Sequence, residues 1–548
     1  MSSHSLNCAP ASIRRSAFSR RGRLACGLVA LLAACFLLVR PGPGQTQPAE
    51  RPPVSSVAAR PLTAETADLD GDNLPDVRIE TPRLRVVLAG KTGSIAVYYL
   101  KGVNFEENLY PPVLQDMGYS FASDTLTPFE CTIGSEAFRH FGFHLKIEER
   151  TPEKIVVAAT ANVPLQSGVP QLGLIRRFTF STTGYTFDLE QAVTNLGDEA
   201  MAVGDEAQGG VGVRFGPGLF LEPITNSFLL ALKPDQVESF DKASAFMKAA
   251  SAGGYTGVGL KSNYFCLLID AKSPSRIAAQ DFELHPSDPN KRGRTYRGEV
   301  VRVSGPPLLL KARETRASTM HIYFGPKLLD ELRAIQREQV TDYGFLSTVL
   351  LRILQFFNHL YPNFGLSIVL LTVVVRILLY PLTLKQTKSM AKVQKIQPLV
   401  QDLKDRYRDN PQKFNEEVLK LYQKHDVNPL GGCLPLLLQL PILFALYNTI
   451  NISVELRKTP FLWMNDLSKA DPLLLLPIGI AALMYYQQGQ MQDPQQQQMM
   501  AFMPMFMFVI TWSLPAGLLV YWFTSSVLGV FQQLQANRIM AAMKEDKT

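Results

Sequence analysis

Signatures of catalysis and of metal binding are missing from this 548-residue sequence. It has six cysteines, and no two of them have the spacing of a zinc site or a CxxC redox motif. It contains no internal repeat, no nucleophile elbow and no phosphate-binding loop. Charged residues make up 19% of the chain, and the apolar runs beyond residue 363 contain no Asp or Glu. The sequence therefore predicts no enzyme, no cofactor, no nucleotide and no metal site.

Two local features leave alternatives open. Cys131 and Cys266 lie in the soluble-looking part of the chain and could form a disulfide if that part is exported, but sequence alone does not bring them within bonding distance. Asp68–Asp76 carries carboxylates at alternate positions around a glycine, as calcium loops do. Its order differs from that of an EF-hand, and the alternative is an acidic turn in water.

The N-terminal segment has the pattern of a signal sequence or signal anchor. Five arginines between residues 14 and 23 precede the apolar run Leu24–Val39. Arginines before such a run stay in the cytoplasm, so the chain that follows is exported. Leu32–Cys35 also resembles a lipoprotein cleavage site, which leaves open whether Cys35 is lipidated or lies in an uncleaved helix. We predict a first transmembrane helix over 1–40 and a flexible linker over 41–75.

The region 76–325 has the composition of a β-protein. Segments such as LRVVLAG from Leu84, KIVVAATANV from Lys154 and FCLLIDA from Phe265 are rich in β-branched and aromatic residues. Gly, Pro, Asn and Asp separate them. Many such segments in succession are typical of a large sandwich, and we predict an exported all-β sandwich domain here.

The sequence of residues 326–362 predicts a linker followed by an amphipathic helix. Thr348, Arg352, Gln355 and His359 recur at intervals of four, three and four, which places them on one helical face. Apolar residues occupy the opposite face. We predict a helix that lies in the membrane interface with its polar face in water.

Five apolar runs follow, most of them close to the length of a bilayer-spanning helix. The first is 363–382, and the other four lie within 431–534. Between them, 383–430 carries ten Lys and Arg residues and two apolar stripes, so we predict a cytoplasmic helical hairpin there. With the N-terminal helix this gives six spans. Both termini, including the tail 535–548, are then cytoplasmic and the sandwich lies outside.

Short motifs between about residue 320 and 535 support this arrangement. They are YFGPK from Tyr323, DYG from Asp342, GLSIVLLTVVVRILLYPLT from Gly365, KSMAK from Lys388, NPLGGCLPLLLQLPILFALY from Asn428, SVELR from Ser453, DPLLLLPI from Asp471, FMPMFMF from Phe502 and LPAGLLVYW from Leu514. In order and spacing they resemble the YidC membrane protein insertases of bacteria. The resemblance implies a polytopic α-helical membrane protein with a five-helix core around a hydrophilic groove, and it implies that the sandwich is periplasmic.

Arg376 is the residue that the groove would be built around. An arginine near the centre of a membrane helix costs about 2.5–3.5 kcal/mol on insertion scales, and such residues usually face a bundle interior or a wet cavity. Thr372 and Thr383 share its helical face. The last apolar run repeats the spacing, and a glutamine in the second of the five runs adds an amide. The candidate groove residues are Thr372, Arg376, Gln439, Trp522, Ser526 and Gln533.

Alternatives to the groove remain open at this point. Arg376 could snorkel or could fasten the bundle by bonding backbone carbonyls, and Thr372 and Ser526 could be helix-packing residues. The resemblance implies an insertase and chaperone of the bacterial inner membrane that acts without nucleotide. Its implied partners are nascent membrane proteins, the Sec translocon, the ribosome and the lipid bilayer. The second hypothesis is a transporter that binds an anionic solute at Arg376.

Overall fold

The structure is a computed structural model that describes most of the chain. The described residues are 63–69, 71–102, 106–110, 128–133, 136–137, 142–163, 171–216, 228–284, 296–408, 410–425, 434–488 and 501–545. The chain divides into two compact units, one of Pro52–Ser525 and one of Met1–Arg51 with Ser526–Thr548. The predicted N-terminal helix, Cys35, and residues 41–62 and 70 of the predicted linker lie outside the described residues. The flexible linker predicted over 41–75 is too long, because Thr63–Ala67 forms a β-strand paired with Asp76–Glu80.

The region predicted to be exported is built from β-strands. They are β1 (Thr63–Ala67), β2 (Asp76–Glu80), β3 (Leu84–Ala89), β4 (Ser94–Lys101), β5 (Glu106–Tyr110), β6 (Glu130–Ile133), β7 (Glu136–Ala137), β8 (His144–Arg150), β9 (Lys154–Val163), β10 (Leu172–Ser181), β11 (Thr186–Asn195), β12 (Met201–Val203), β13 (Val211–Phe215), β14 (Phe228–Leu232), β15 (Val237–Phe240), β16 (Gly257–Lys261), β17 (Phe265–Asp270), β18 (Arg276–Leu284), β19 (Tyr296–Ser304), β20 (Leu308–Leu310) and β21 (Thr315–Pro326). The three segments quoted from the sequence correspond to β3, β9 and β17, so the prediction of a β-rich region is confirmed, although a helix, Ala243–Ala250, also lies within it.

The strands form antiparallel sheets, and the three larger ones contribute to one large apolar cluster. The largest has the order β15-β14-β16-β17-β21-β11-β10-β9-β8, and two five-stranded sheets have the orders β1-β2-β3-β4-β5 and β18-β19-β13-β6-β7. Strands β10 and β11 alternate between buried and partly exposed residues along most of their length, as strands do when one face covers a core. Tyr98 of β4 stacks on Phe324 of β21 and donates its hydroxyl to the Phe324 carbonyl at 2.8 Å.

A fully buried arginine links all three of these sheets. Arg176 of β10 donates to the Gly93 carbonyl at 2.5 Å, to the Ser94 hydroxyl at 2.9 Å and to the Phe129 carbonyl. Burial lowers the pKa of its guanidinium. A buried cation is tolerated where hydrogen bonds surround it, so Arg176 holds the turn before β4 and the start of β6 against the nine-stranded sheet.

The open questions about the region predicted to be exported have partial answers. Cys131 and Cys266 are both free and buried, and burial raises the pKa of the Cys266 thiol to about 12. In the acidic turn, the Asp68 carboxylate accepts from the backbone amides of Gly71 and Asn73 at 2.8 and 3.0 Å. These contacts are typical of a carboxylate that shapes a turn. Asp70 lies outside the described residues.

Helices dominate the remainder of the chain. They are α1 (Ala243–Ala250), which lies within the sandwich domain, α2 (Leu329–Ala334), α3 (Phe345–Leu360), α4 (Phe364–Arg406), α5 (Pro411–Lys424), α6 (Leu434–Ile452), α7 (Leu475–Gln488), α8 (Met503–Thr511) and α9 (Ala516–Glu545), with a short 3₁₀ helix at Glu338–Thr341. Among the described residues one segment, Phe364–Leu384, is long and apolar enough to cross a membrane. Helices occur within all five predicted runs, but the six-span count is not confirmed.

Helix α3 differs from the prediction in what its polar face contacts. Arg352 donates to the Asp330 carboxylate at 2.5 and 2.9 Å, and Gln355 donates to Glu455 at 3.0 and 3.2 Å. These two side chains bind protein groups rather than water alone. An apolar side chain of the same helix, Phe345, is 87% exposed.

Helix α4 also runs further than the sequence suggested. It passes through Pro381 and Pro398 without a break and ends at Arg406, so the first predicted span and the first helix of the hairpin are one element of 43 residues. Each proline removes one backbone hydrogen bond, and the helix continues on the bonds around it. Helix α5 begins at Pro411, where the Asn410 side chain accepts from the Lys413 amide at 3.1 Å, close to the predicted break.

The sandwich joins the helices through an ionic cluster. Asp342, just before α3, accepts from the Lys261 ammonium at 2.6 and 2.8 Å and from the Lys327 ammonium at 3.5 Å. Arg457, in the segment after α6, lies over the rings of Tyr264 and Phe265 at 5.1 and 5.9 Å. Such cation–π contacts favour arginine. The exported domain is therefore held to the helical region by specific contacts.

Candidate functional site

Arg376 lies in the apolar part of α4, one-third of the way along the helix. The helix begins at an N-cap, where the Asn363 side chain accepts from the Leu366 amide at 3.0 Å. Arg376 is half-buried, whereas the next two residues, Ile377 and Leu378, are strongly exposed apolar side chains. The arginine is thus directed partly inward on a helix that presents an apolar surface.

The guanidinium of Arg376 is bound by Ser525 of helix α9. Its Nε donates to the Ser525 hydroxyl at 2.9 Å and its Nη2 donates to the Ser525 carbonyl at 2.5 Å. Ser525 is 1% exposed. The Gln439 amide of helix α6 donates to the same hydroxyl at 3.2 Å. Three helices therefore meet at one serine, and two predicted site residues, Arg376 and Gln439, share it.

Arg376 has no carboxylate partner in the described part of the chain. Its two hydrogen bonds go to neutral oxygen atoms of Ser525. A charge that is half-buried without a counter-ion attracts anions, because screening by the surroundings is weak. The sequence left open that Arg376 bonds a backbone carbonyl, and its bond to the Ser525 carbonyl is of this kind. That bond uses only one of the five N–H donors of the guanidinium.

The other predicted residues occupy different environments. Thr372 is fully buried and donates its hydroxyl to the Ile368 carbonyl of its own helix at 2.7 Å, which is typical of a packing role. Trp522 is half-buried on α9. Ser526 and Gln533 belong to the second compact unit, where Ser526 is half-buried and the side chain of Gln533 lies outside the described residues.

Sequence reasoning missed Ser525. The spacing argument matched Trp522 with the residue four positions later and so selected Ser526. Ser525 is three positions after Trp522, and positions three and four apart lie on the same side of a helix. The pair of adjacent serines in an otherwise apolar run was the available signal, and only the three-dimensional packing distinguishes them.

Comparisons with known proteins agree with the motifs. A family described as the YidC periplasmic domain matches residues 76–356, and one described as the 60Kd inner membrane protein matches residues 356–544. The membrane protein insertase YidC of Geobacter sulfurreducens is 32% identical over 382 residues, which cover 66% of this chain and 68% of that protein. The insertase YidC of Anaeromyxobacter dehalogenans strain 2CP-C is 33% identical over 409 residues, or 70% of each chain.

The chain is also similar to solved structures. A crystal structure of an active YidC insertase with its first transmembrane domain resolved is 19% identical, covers 92% of this chain and 98% of its own, and has a TM-score of 0.36.

Proposed function

The chain belongs to the YidC family of membrane protein insertases, and we propose that Arg376 is the centre of a hydrated groove through which it inserts its client proteins. The fold is that of the family, with a β-rich periplasmic domain and a helical C-terminal region in the inner membrane. The names of the relatives give no support to a transporter of anionic solutes.

One observation carries the proposal about Arg376. A guanidinium has five N–H donors, and two of those of Arg376 bind Ser525, which leaves three without a protein acceptor among the described residues. A half-buried cation in this state is suited to receive an anionic group temporarily. A carboxylate on an incoming chain costs about 2.5–3.5 kcal/mol at the membrane centre, and pairing with Arg376 offsets part of that cost.

Further parts of the groove are assigned from sequence and position. Gln439 and Trp522 would line it beside Arg376, and Thr372 would fix the packing of α4 underneath. Ser526 and Gln533 are assigned to the groove from their spacing in the sequence alone. Exchange of clients through such a groove needs positioning and hydration but no covalent intermediate, so the protein would not be an enzyme.

The membrane topology is part of the same proposal. Six spans, counting the N-terminal helix, would leave both termini and the basic segment 383–430 in the cytoplasm. The hairpin formed by the end of α4 and α5 has no buried side chain on α5, which supports a docking role there. Its partners would be ribosomes or nascent chains, and the protein would act alone or beside the Sec translocon.

The test replaces Arg376 and varies the client. Arg376→Lys keeps the charge but loses the planar fork, and Arg376→Ala removes both. The clients differ only in the number of acidic residues in the exported tail. The more acidic the tail, the more its insertion should depend on the positive charge at position 376. We expect Arg376→Lys to retain more activity than Arg376→Ala, which should lose it mainly for the most acidic tails.

Controls separate the charge from the fold. Arg78→Ala removes the same charge from an exposed strand position and should leave the insertion of every client in the series unchanged. The membrane level and melting temperature of each variant are measured alongside. Equal insertion by wild type and Arg376→Ala across the series would refute the electrostatic role. Equal destabilisation by Lys and Ala would indicate a structural fork.

A further inference from the structure

The contacts of Ser525 differ from those of an ordinary buried serine. A hydroxyl oxygen has two lone pairs, and two donors reach this oxygen, the Arg376 Nε at 2.9 Å and the Gln439 amide at 3.2 Å. The carbonyl of the same residue accepts from the Arg376 Nη2 at 2.5 Å. One residue therefore binds the guanidinium at two points and is itself fixed by a third side chain.

The two points lie on one edge of the guanidinium. Nε–H and one N–H of Nη2 point in the same direction and form the side edge, whereas Nη1 and the other N–H of Nη2 form the end of the fork. Both edges match the two oxygens of a carboxylate. Because Ser525 occupies the side edge, the end of the fork is the edge left for a ligand.

From this geometry we infer that Ser525 is a positioning residue, which orients Arg376 so that the Nη1–Nη2 edge receives the carboxylates of client chains. The inference rests on the proposed role of Arg376 and names the chemistry of its ligand, a carboxylate side chain held by two parallel hydrogen bonds. Gln439 supports the arrangement because its amide keeps the Ser525 hydroxyl in place. The specificity lies in the direction of the donors rather than in the charge alone.

Substitutions of Ser525 separate its two contacts. Ser525→Ala removes the hydroxyl and leaves the backbone carbonyl, so the guanidinium would keep one contact and could rotate about it. Ser525→Thr keeps the hydroxyl oxygen at the same position. Thr524→Ala is the matched control, because it removes a hydroxyl from the neighbouring residue of the same helix, and Thr524 is outside the contacts of Arg376 in the described residues.

The experiment uses the full-length protein in membranes and the client series with graded tail acidity. For the most acidic tail, Ser525→Ala should slow insertion by roughly tenfold, the effect of losing one hydrogen bond to a charged group. Neutral tails should change by less than about twofold. Ser525→Thr should restore the rate, and Thr524→Ala should match the wild type.

A double-mutant cycle distinguishes positioning from packing. In an Arg376→Ala background, Ser525→Ala should have no further effect on acidic tails, because there is no guanidinium left to orient. If it still slows insertion there, or slows neutral and acidic tails equally, Ser525 has only a packing role and the inference is wrong. If Ser525→Ala is silent while Arg376→Ala is impaired, the inference fails and the proposed function stands. If Arg376→Ala itself is silent, the proposed function fails.

A spectroscopic measurement keeps the inference testable if insertion is lost for other reasons. The exchange of the Arg376 Nε proton, followed by NMR in the purified full chain with labelled arginine, should be slow in the wild type and in Ser525→Thr. It should be faster in Ser525→Ala. Unchanged exchange in Ser525→Ala would contradict the contact on which the inference depends.

Discussion

The ionic cluster at Asp342 offers a sharp test of how the periplasmic domain is attached to the helices. The side chains of Lys261 and Lys327 are 7% and 2% exposed, and both contact the carboxylate of Asp342, which is 46% exposed. Asp342 has a left-handed backbone with φ of 60°, and asparagine tolerates that conformation as well as aspartate does. Asp342→Asn therefore removes the charge and keeps the backbone.

The size of the effect follows from burial. A charge pair at about 4 Å is worth about 4 kcal/mol at an effective dielectric constant of 20, and the half-exposed carboxylate is screened by water. We expect Asp342→Asn to lower the free energy of unfolding by about 2 kcal/mol at pH 7. For a domain of this size that corresponds to a fall in Tm of roughly 4–8 °C.

The loss of stability caused by Asp342→Asn should depend on pH. Burial lowers the pKa of Lys327 below its ordinary value of 10.5, and the Asp342 charge acts in the opposite direction. Removing that charge lowers the pKa of Lys327 further in the folded state. In the variant, the unfolded chain therefore binds more protons than the folded chain over a wider range of pH. The free energy of unfolding of the variant then rises with pH relative to that of the wild type. The deficit should shrink between pH 7 and about 10.

The assay is thermal unfolding of the detergent-solubilised full chain, followed by calorimetry at several pH values. Asp198→Asn is the matched control, because Asp198 and its partner Arg313 are 89% and 65% exposed and such a pair contributes at most about 1 kcal/mol. A Tm for Asp342→Asn equal to that of the control, or a deficit that is constant from pH 7 to about 10, would refute the reasoning.

Three further predictions concern other parts of the chain. Arg176→Ala should lower the stability of the periplasmic domain by about 3–5 kcal/mol, because it leaves buried carbonyls without donors; urea unfolding of the purified chain measures this. Deleting 402–416 should impair insertion of clients while the protein still accumulates in membranes, as shown by immunoblotting and an insertion assay. Cysteines introduced between 385 and 425 should react only with reagents added from the cytoplasmic side, and labelling from outside would contradict the six-span topology.

Local patterns in the sequence were sufficient for the strands and for several helix ends. The run from Lys154 coincides with β9, because a short, nearly continuous apolar run with β-branched residues is typical of a buried strand. The helix break near residue 410 was also visible, since asparagine followed by proline is a helix start. Contacts between distant residues were not visible. Nothing near Lys261 in the sequence indicates that its partner is Asp342, 81 residues later.

The candidate site shows the same limit. Arg376 stands out because a charge in an apolar run is costly, and Gln439 was found as an isolated amide in the next run. Ser525 could not be separated from Ser526 without knowing how α9 is rotated against α4. The first span was predicted over 363–382, and the apolar segment Phe364–Leu384 agrees with it. The helix itself continues through Pro381 to Arg406, although proline usually interrupts a helix.

That continuity has a mechanical consequence. A helix of 43 residues is about 65 Å long, roughly twice the thickness of the hydrocarbon core of a bilayer. Arg376 and the base of the hairpin are therefore parts of one continuous helix. Of the two prolines inside it, Pro381 is the nearer to Arg376, and it removes a backbone hydrogen bond there. A tilt of about 10° at that point would move the Arg406 end by about 6 Å. A force applied at the hairpin would reach the level of the Arg376 guanidinium through continuous helix, because no loop lies between them.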